Sequence, residues 1–330
     1  QNASPGPIDW VLGANIYRDN VRMESELDIA DALQTIIGAD YTQRRRSLAG
    51  FADGSIKLGH GWKIGAGARY TRDRTQFRGS TIDLDPYGVS LAPVAFPPLP
   101  LIFDRKFSDS SVSGRLNLSY EVSPSTTAYA SISKGFKSGG FDGSTSLTLA
   151  ETDPFQSERV WTYEAGVKFL PRGGPVQIET SVFYNDFSNL QGSLNKLVGG
   201  LPTNIRTNVG SARTFGAEAN ITVRPFDGLE IQSGVSLLES RILEMDSDDP
   251  AERERRIGNA LPFAPKLTLT GAVRYTFQAG ENFTITPSIN GRFIDNYFTE
   301  LDNYQDVKGY FLGNAQLEGK FSDHLTVTGW

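Results

Sequence analysis

The stretch most able to do chemistry is DSDDPAERERR, Asp246 to Arg256. Its close-set carboxylates are the donor type that calcium takes. The glycine and the terminal glutamate of an EF-hand loop are missing, and the arginines that follow can neutralise the acids. The spacing therefore predicts a solvated, self-paired loop and no metal site. The only histidines are His60 and His324, both in short turn-like segments. A Ser/His/Asp hydrolase needs a histidine beside its nucleophile at an open face, and neither position offers one. Catalysis, a metal centre and a cofactor are all left without residues to carry them.

Two other stretches have the chemistry of contact. AYASISKGFKSGGFDG, Ala128 to Gly143, alternates small and apolar residues and then breaks into lysines and glycines. Gly135, Gly139 and Gly140 allow a turn or bulge at a rim. Lys134 and Lys137 are expected among headgroups or lipopolysaccharide phosphates, with Lys137 also a candidate contact for an anionic substrate. APVAFPPLPLIF, Ala92 to Phe103, is apolar and carries four prolines, which argue against a regular strand or helix. Phe96, Leu99 and Phe103 are its candidate substrate contacts. Beyond these four residues the substrate site is not readable.

The elements that must hold these segments are strands. In RVWTYEAGVKF, Trp161, Tyr163, Ala165, Val167 and Phe169 alternate with Thr162, Glu164, Gly166 and Lys168. LTLTGAVRYTF and GYFLGNAQLEGKF repeat the pattern. Period two over about ten residues means a strand with one apolar and one polar face. The alternation predicts about thirteen strands, near 9–18, 47–57, 61–74, 109–121, 126–136, 158–169, 176–189, 208–223, 229–242, 265–277, 283–296, 307–321 and 324–330. Turns such as LGHGW, VSPST, LPRGGP, RPFDG, FQAGEN and FSDH are tight. The other connections, 19–46, 75–108, 137–157, 190–207, 243–264 and 297–306, are long and polar. Short and long connections alternate along the whole chain.

Composition narrows the class. The 330 residues carry 38% hydrophobic and 11% aromatic residues, 34 glycines, no cysteine and a net charge of −6. Disulfides and thiolate metal sites are excluded, and nothing here neutralises nucleic-acid phosphates. No run is long and apolar enough for a transmembrane helix, which leaves strands free to cross a membrane. A soluble sandwich or propeller would also alternate, but its apolar face favours Val, Ile and Leu. Here that face is diluted with Ala and Gly, and aromatics gather at strand ends: Tyr70, Tyr120, Phe169, Tyr184, Tyr275, Phe277 and Phe321. Aromatic girdles, a polar opposite face, and turns short on one side and long on the other describe an outer-membrane barrel. Its polar face is expected to present Arg69, Glu164, Lys168, Glu218, Arg274, Arg292 and Glu318 to the lumen. The inward-folded loop with opposed charges that is usual in porins is not legible.

An odd strand count and a last strand of seven residues, HLTVTGW, fit poorly with a closed barrel. The opening QNASPGPIDW lacks both Met and the apolar core of a signal peptide. The expectation is a partial barrel domain over 1–330, truncated at both ends, which would not close on its own.

Six segments in order then resemble the TonB-dependent outer-membrane receptors. These are GARYTRDRTQF, TTAYASISKGFKSGGF, SERVWTYEAGVKF, SVFYNDFSNLQ, NVGSARTFGAEANITVRPFDGLEI and IGNALPFAPKLTL. The resemblance implies an all-β, antiparallel up-and-down transmembrane barrel of 22 strands, of which these are roughly the ninth to the twenty-first. It also implies a plug domain and TonB box outside this chain, and lumen residues that hold the plug by polar contacts. The partners it implies are the TonB–ExbB–ExbD complex, outer-membrane lipid and lipopolysaccharide, and an extracellular substrate such as a ferric siderophore. The location it implies is the outer membrane of a Gram-negative bacterium. Import of cobalamin or a glycan, and a passive porin-like channel, stay open as alternatives.

Overall fold

The computed structural model describes residues 6–143, 146–198, 201–247, 250–322 and 325–330. Sixteen strands follow in order: β1 (Ile8–Asp28), β2 (Ile36–Gly59), β3 (Trp62–Asp83), β4 (Leu101–Ser123), β5 (Thr126–Lys137), β6 (Glu158–Phe169), β7 (Val176–Val198), β8 (Leu201–Val223), β9 (Leu229–Met245), β10 (Leu267–Tyr275), β11 (Phe277–Gly280), β12 (Phe283–Ile294), β13 (Tyr297–Phe298), β14 (Asp306–Val307), β15 (Tyr310–Phe321) and β16 (Leu325–Gly329). All but β13 and β14 form one sheet, in which each long strand pairs antiparallel with the next and β11 pairs with β12. The up-and-down, all-β architecture matches the expectation. Among the described residues the order runs from β1 to β16 without pairing those two strands.

Cross-strand register shows what each face is. Trp62 lies opposite Tyr120, and Tyr120 opposite Ala128. Following partners upward from there gives Trp62, Ile64, Ala66, Ala68 and Tyr70 on β3. The same face of β4 carries Tyr120, Leu118, Leu116, Gly114 and Val112, and that of β1 carries Ile8, Trp10, Leu12, Ala14 and Ile16. No charged residue interrupts this band on β1, β3 or β4. Trp62 and Tyr120 pack with ring centroids 4.6 Å apart at its lower edge. With a rise near 3.3 Å per residue and a tilt near 40°, the band from Trp62 to Tyr70 is roughly 20 Å tall, close to the ~25 Å apolar belt of membrane barrels. Many of its side chains are exposed, Leu12 at 63% and Val112 at 58%, as befits a face made for lipid.

The opposite face is polar and internally paired. Arg115 donates to both carboxylate oxygens of Asp53 at 3.0 Å, across the strand that lies between them. Gly67, opposite both residues, makes this reach feasible, because a Cβ there would lie 2.2 Å from Asp53 Oδ2. Further round, Asn185 joins Thr162 and Thr214 in a ladder across three strands. Arg69, Glu164, Lys168, Glu218, Arg274, Arg292 and Glu318 all have the parity of this face.

The strands are longer than alternation predicts. Residues 19–28, 36–46, 75–83 and 101–108 are strand rather than loop, as are 190–198 and 201–207, so β1 has 21 residues and β2 has 24. A tilted strand crosses a bilayer with about 9–11 residues. The remainder stands above the membrane, where the outward face no longer needs apolar residues and the apolar–polar alternation is lost. The prolines of 92–103 also stop less than expected. Ala92–Ala95 forms one helical turn, and β4 begins at Leu101, directly after Pro100.

Candidate functional site

The tight connections define one end of the sheet, and the opposite end is the mouth. There the connection 138–157, between β5 and β6, turns over the inner wall of β2–β4. Phe141 stacks on Phe77 with centroids 5.3 Å apart and meets Phe107 edge-on at 6.4 Å. Phe77 also packs on Phe103 at 4.8 Å and on Tyr41 at 5.1 Å. Tyr41, Phe77, Phe103 and Phe141 are all buried and form one cluster. Such aromatic packing adds to the hydrophobic gain of burial.

Polar contacts fix the same segment. Ser138 Oγ donates to Asp73 Oδ2 at 2.7 Å, Gly139 N to Ser157 Oγ at 3.1 Å, and Thr81 Oγ1 to the Ser146 carbonyl at 2.6 Å. Tyr41 Oη donates to the Gly143 carbonyl, and Ser157 Oγ to Asp109. Gly140 and Phe155 exchange two backbone bonds, which close the loop upon itself. Gly139 permits this closure: a Cβ there would sit 2.3 Å from the Phe155 carbonyl oxygen. Arg45 donates to Asp73 at 3.2 Å, yet Arg45 Nε, Asp73 Oδ1 and Ser111 Oγ remain buried without a partner. The wall behind the loop thus holds spare hydrogen-bonding capacity, the opposite of a dry core.

A second closure lies across the mouth. Leu194, Val209, Ile242 and Met245 form a buried apolar cluster, with Leu261 and Leu301 packed against it from two connections. Arg256, at the end of the helix Pro250–Arg256, donates from Nε and Nη2 to Asp302 at 2.5 and 3.2 Å. Arg255 reaches the same carboxylate at 3.3 Å. These bonds, led by the one from Arg256, hold the Asp302 carboxyl below the usual carboxylate range despite partial burial. Two of the arginines of DSDDPAERERR thus reach across to another connection and tie the two together, while its Asp248 and Asp249 lie outside the described residues.

The structure separates the sequence-predicted contacts. Phe103 is buried in the aromatic cluster, whereas Phe96 and Leu99 are half-buried above it. Lys137 ends β5 opposite Glu158, on the parity of the inner face rather than among headgroups. Its backbone carbonyl accepts from Gln191 at 3.3 Å. Lys134 takes the outer face, with its ammonium 5.4 Å from the Trp161 ring centroid. His60 lies in the tight turn between β2 and β3, and His324 lies outside the described residues. Among the described residues no group of three His, Cys, Asp or Glu is gathered for a metal ion.

Sequence reasoning missed Tyr41, Phe77, Phe107 and Phe141, and with them the inward-folded loop. A signal was present: aromatics at inward parity within polar stretches have no role at a lipid face. The arrangement is one of contact surfaces. It is an inner wall of paired charges, an aromatic cluster at the mouth, and loops tied over both.

Comparison with solved structures places this geometry. The ferric yersiniabactin uptake receptor FyuA of Yersinia pestis is 18% identical with a TM-score of 0.80, covering 99% of this chain and 46% of that one. The siderophore receptor PiuA of Acinetobacter baumannii is 12% identical with a TM-score of 0.65, covering 97% and 51%. The ferric-catecholate import receptor Fiu of E. coli K12 in its closed form is 14% identical with a TM-score of 0.62, covering 96% and 49%. At these identities the likeness is one of fold, and the chain spans about half the length of the structures it matches. The described helices include none long and apolar enough to cross a membrane. The match to the family described as TonB dependent receptor-like, beta-barrel extends over residues 3–330. That family comprises outer-membrane receptors and transporters, not enzymes, and this chain belongs to it.

Proposed function

We propose that this chain forms the wall of an active importer in the outer membrane of a Gram-negative bacterium, and that its cargo is a ferric siderophore. Family membership across nearly the whole chain carries the reading. The cargo preference is drawn from structural relatives named for ferric yersiniabactin uptake, as a siderophore receptor and for ferric-catecholate import. In this reading a plug domain fills the lumen and meets Arg69, Glu164, Lys168 and their neighbours through polar contacts. The TonB–ExbB–ExbD complex supplies energy through that plug. Substrate enters past the 138–157 loop, and Lys137, Phe96 and Leu99 are its candidate contacts on the way.

One observation favours a second reading. A loop folded against the inner wall is also how a passive pore narrows its lumen, so a porin-like channel with the same wall is the alternative. Radioiron uptake separates the two. The full-length protein is expressed in cells lacking their own siderophore receptors and offered iron-loaded catecholate, hydroxamate and phenolate siderophores. Uptake of at least one that stops when TonB is deleted or the proton gradient is collapsed supports the proposal. Free passage of small solutes without TonB supports the pore. TonB-dependent growth on cobalamin or a glycan, without iron uptake, would move the cargo to that class.

A further inference from the structure

The outer face of β1–β4 carries a feature that transport does not use. Arg18 lies directly opposite Arg46, and Arg46 directly opposite Arg74, so three arginines stand side by side across three strands. Adjacent strands are about 4.8 Å apart, and like charges placed directly opposite one another destabilise a sheet. The neighbouring rows do not relieve the repulsion. The row below reads Ile16, Leu48, Arg72 and Ser110, and the row above reads Asn20, Arg44, Gln76 and Lys106. Six cations and no carboxylate occupy these three rows of the outer face. All six are exposed, and among the described residues none is in an ion pair. The nearest acids on this face stand higher and are already engaged. Asp40 and Glu24 hold Arg22, and Asp104 accepts from Gln76.

Height completes the argument. The apolar band on this face ends at Tyr70, Val112 and Ile16. The three-arginine row lies roughly 10 Å above Tyr70 at the same rise and tilt, which is the depth of the headgroup layer beyond the hydrocarbon. Guanidinium groups in a fixed row match phosphate oxygens in bidentate fashion. We propose that Arg18, Arg46 and Arg74, flanked by Arg44, Arg72 and Lys106, form a binding site for the phosphorylated glycolipid of the outer leaflet. The lipid phosphates supply the missing counter-charge, and the acyl chains lie on the band of Leu12, Ala14, Leu48 and Val112 below. The inference rests on the sheet spanning an outer membrane.

The test uses the full-length receptor in mild detergent, titrated with fluorescent lipopolysaccharide. R18Q/R46Q/R74Q is compared with K57Q/K63Q/R172Q, which removes three exposed cations from the opposite end. Charge near an anionic lipid surface contributes roughly fivefold in affinity per residue, so the first triple is expected to bind about a hundredfold more weakly. The second triple is expected to match wild type, as is binding in the presence of millimolar inorganic phosphate. Dephosphorylated lipopolysaccharide is expected to bind wild type no better than it binds the first triple. Equal binding by both triples, or full competition by inorganic phosphate, overturns the proposal. Heat-modifiable migration reports barrel assembly separately, so failure of the membrane reading is distinguished from failure of the site. If the triple does not assemble, R46Q alone removes the centre of the row and is read against K63Q, with about a fivefold loss expected.

Discussion

Phe141→Ala should release the mouth loop without harming the barrel. Phe141 is 5% exposed and sits between Phe77 and Phe107, so truncation removes its ring from a closed aromatic cluster. Phe-to-Ala changes in cores cost about 3–5 kcal/mol. This site is one loop docked on a wall and can relax by undocking, so about 3 kcal/mol is the better figure. At ~1.4 kcal/mol per factor of ten, the ratio of docked to undocked loop falls about a hundredfold. The cost falls on the loop because its other anchors to the wall include only hydrogen bonds of the kind Ser138 makes to Asp73, the Ser146 carbonyl to Thr81, the Gly143 carbonyl to Tyr41 and Ser157 to Asp109. β5 and β6 keep their ladders to β4 and β7. Hydrogen exchange on the full-length receptor reads this directly, because local opening sets the exchange of loop amides. The Gly140 and Phe155 amides should exchange about a hundredfold faster, with no change at Ala130 or Ala165. Val112→Ala, on the lipid face, should leave the loop untouched. Unchanged exchange at Gly140, or acceleration that spreads through β5 and β6, would refute the view that the aromatic cluster holds this loop.

Two further changes probe the rest of the wall. The Asp302 carboxyl is held low by Arg256, so the latch it forms is at full strength above the ordinary carboxylate range. The latch weakens as pH falls from that range through the depressed folded value. Exchange at Gly258 and Asn259 should quicken over that interval, whereas Asp302→Asn should exchange fast throughout and show no titration. Gly67→Ala places a Cβ against Asp53 and should break the Arg115–Asp53 pair. Arg115 is largely exposed, so the loss should be only about 1 kcal/mol. A thermal scan that shows no barrel assembly at all would mean that the pair matters far more than its exposure implies.

What the sequence disclosed follows from where water is. Between Trp62 and Tyr70 one face meets lipid and the other does not, so the residues alternate and the strand can be read. Past Tyr70 the outward face is wet and the inward face lies under the docked loop, so TRDRTQFRGST carries no apolar–polar period from which to infer that β3 continues to Asp83. The arginines of QRRRS were plain to see, but their meaning depends on register. Only the pairing of Arg46 with both Arg18 and Arg74 makes them a row. The docked loop was hidden for a different reason. Phe141 lies far along the chain from Tyr41 and Phe77, and packing across such separation leaves no local mark. The pairing of Arg256 with Asp302 is of the same kind, since the two stand far apart in the chain.

The central claim is that this sheet is a membrane wall with a lipid face and a lumen face. The chain has no cysteine, so single cysteines can be placed along β6 from Trp161 to Phe169 in the full-length protein and spin-labelled in reconstituted bilayers. Collision with oxygen, which concentrates in lipid, should peak at positions 161, 163, 165, 167 and 169. Collision with a water-soluble nickel chelate should be favoured at 162, 164, 166 and 168. Accessibility that varies without this two-residue alternation, or that shows water at Ala165 and Val167, would contradict the account.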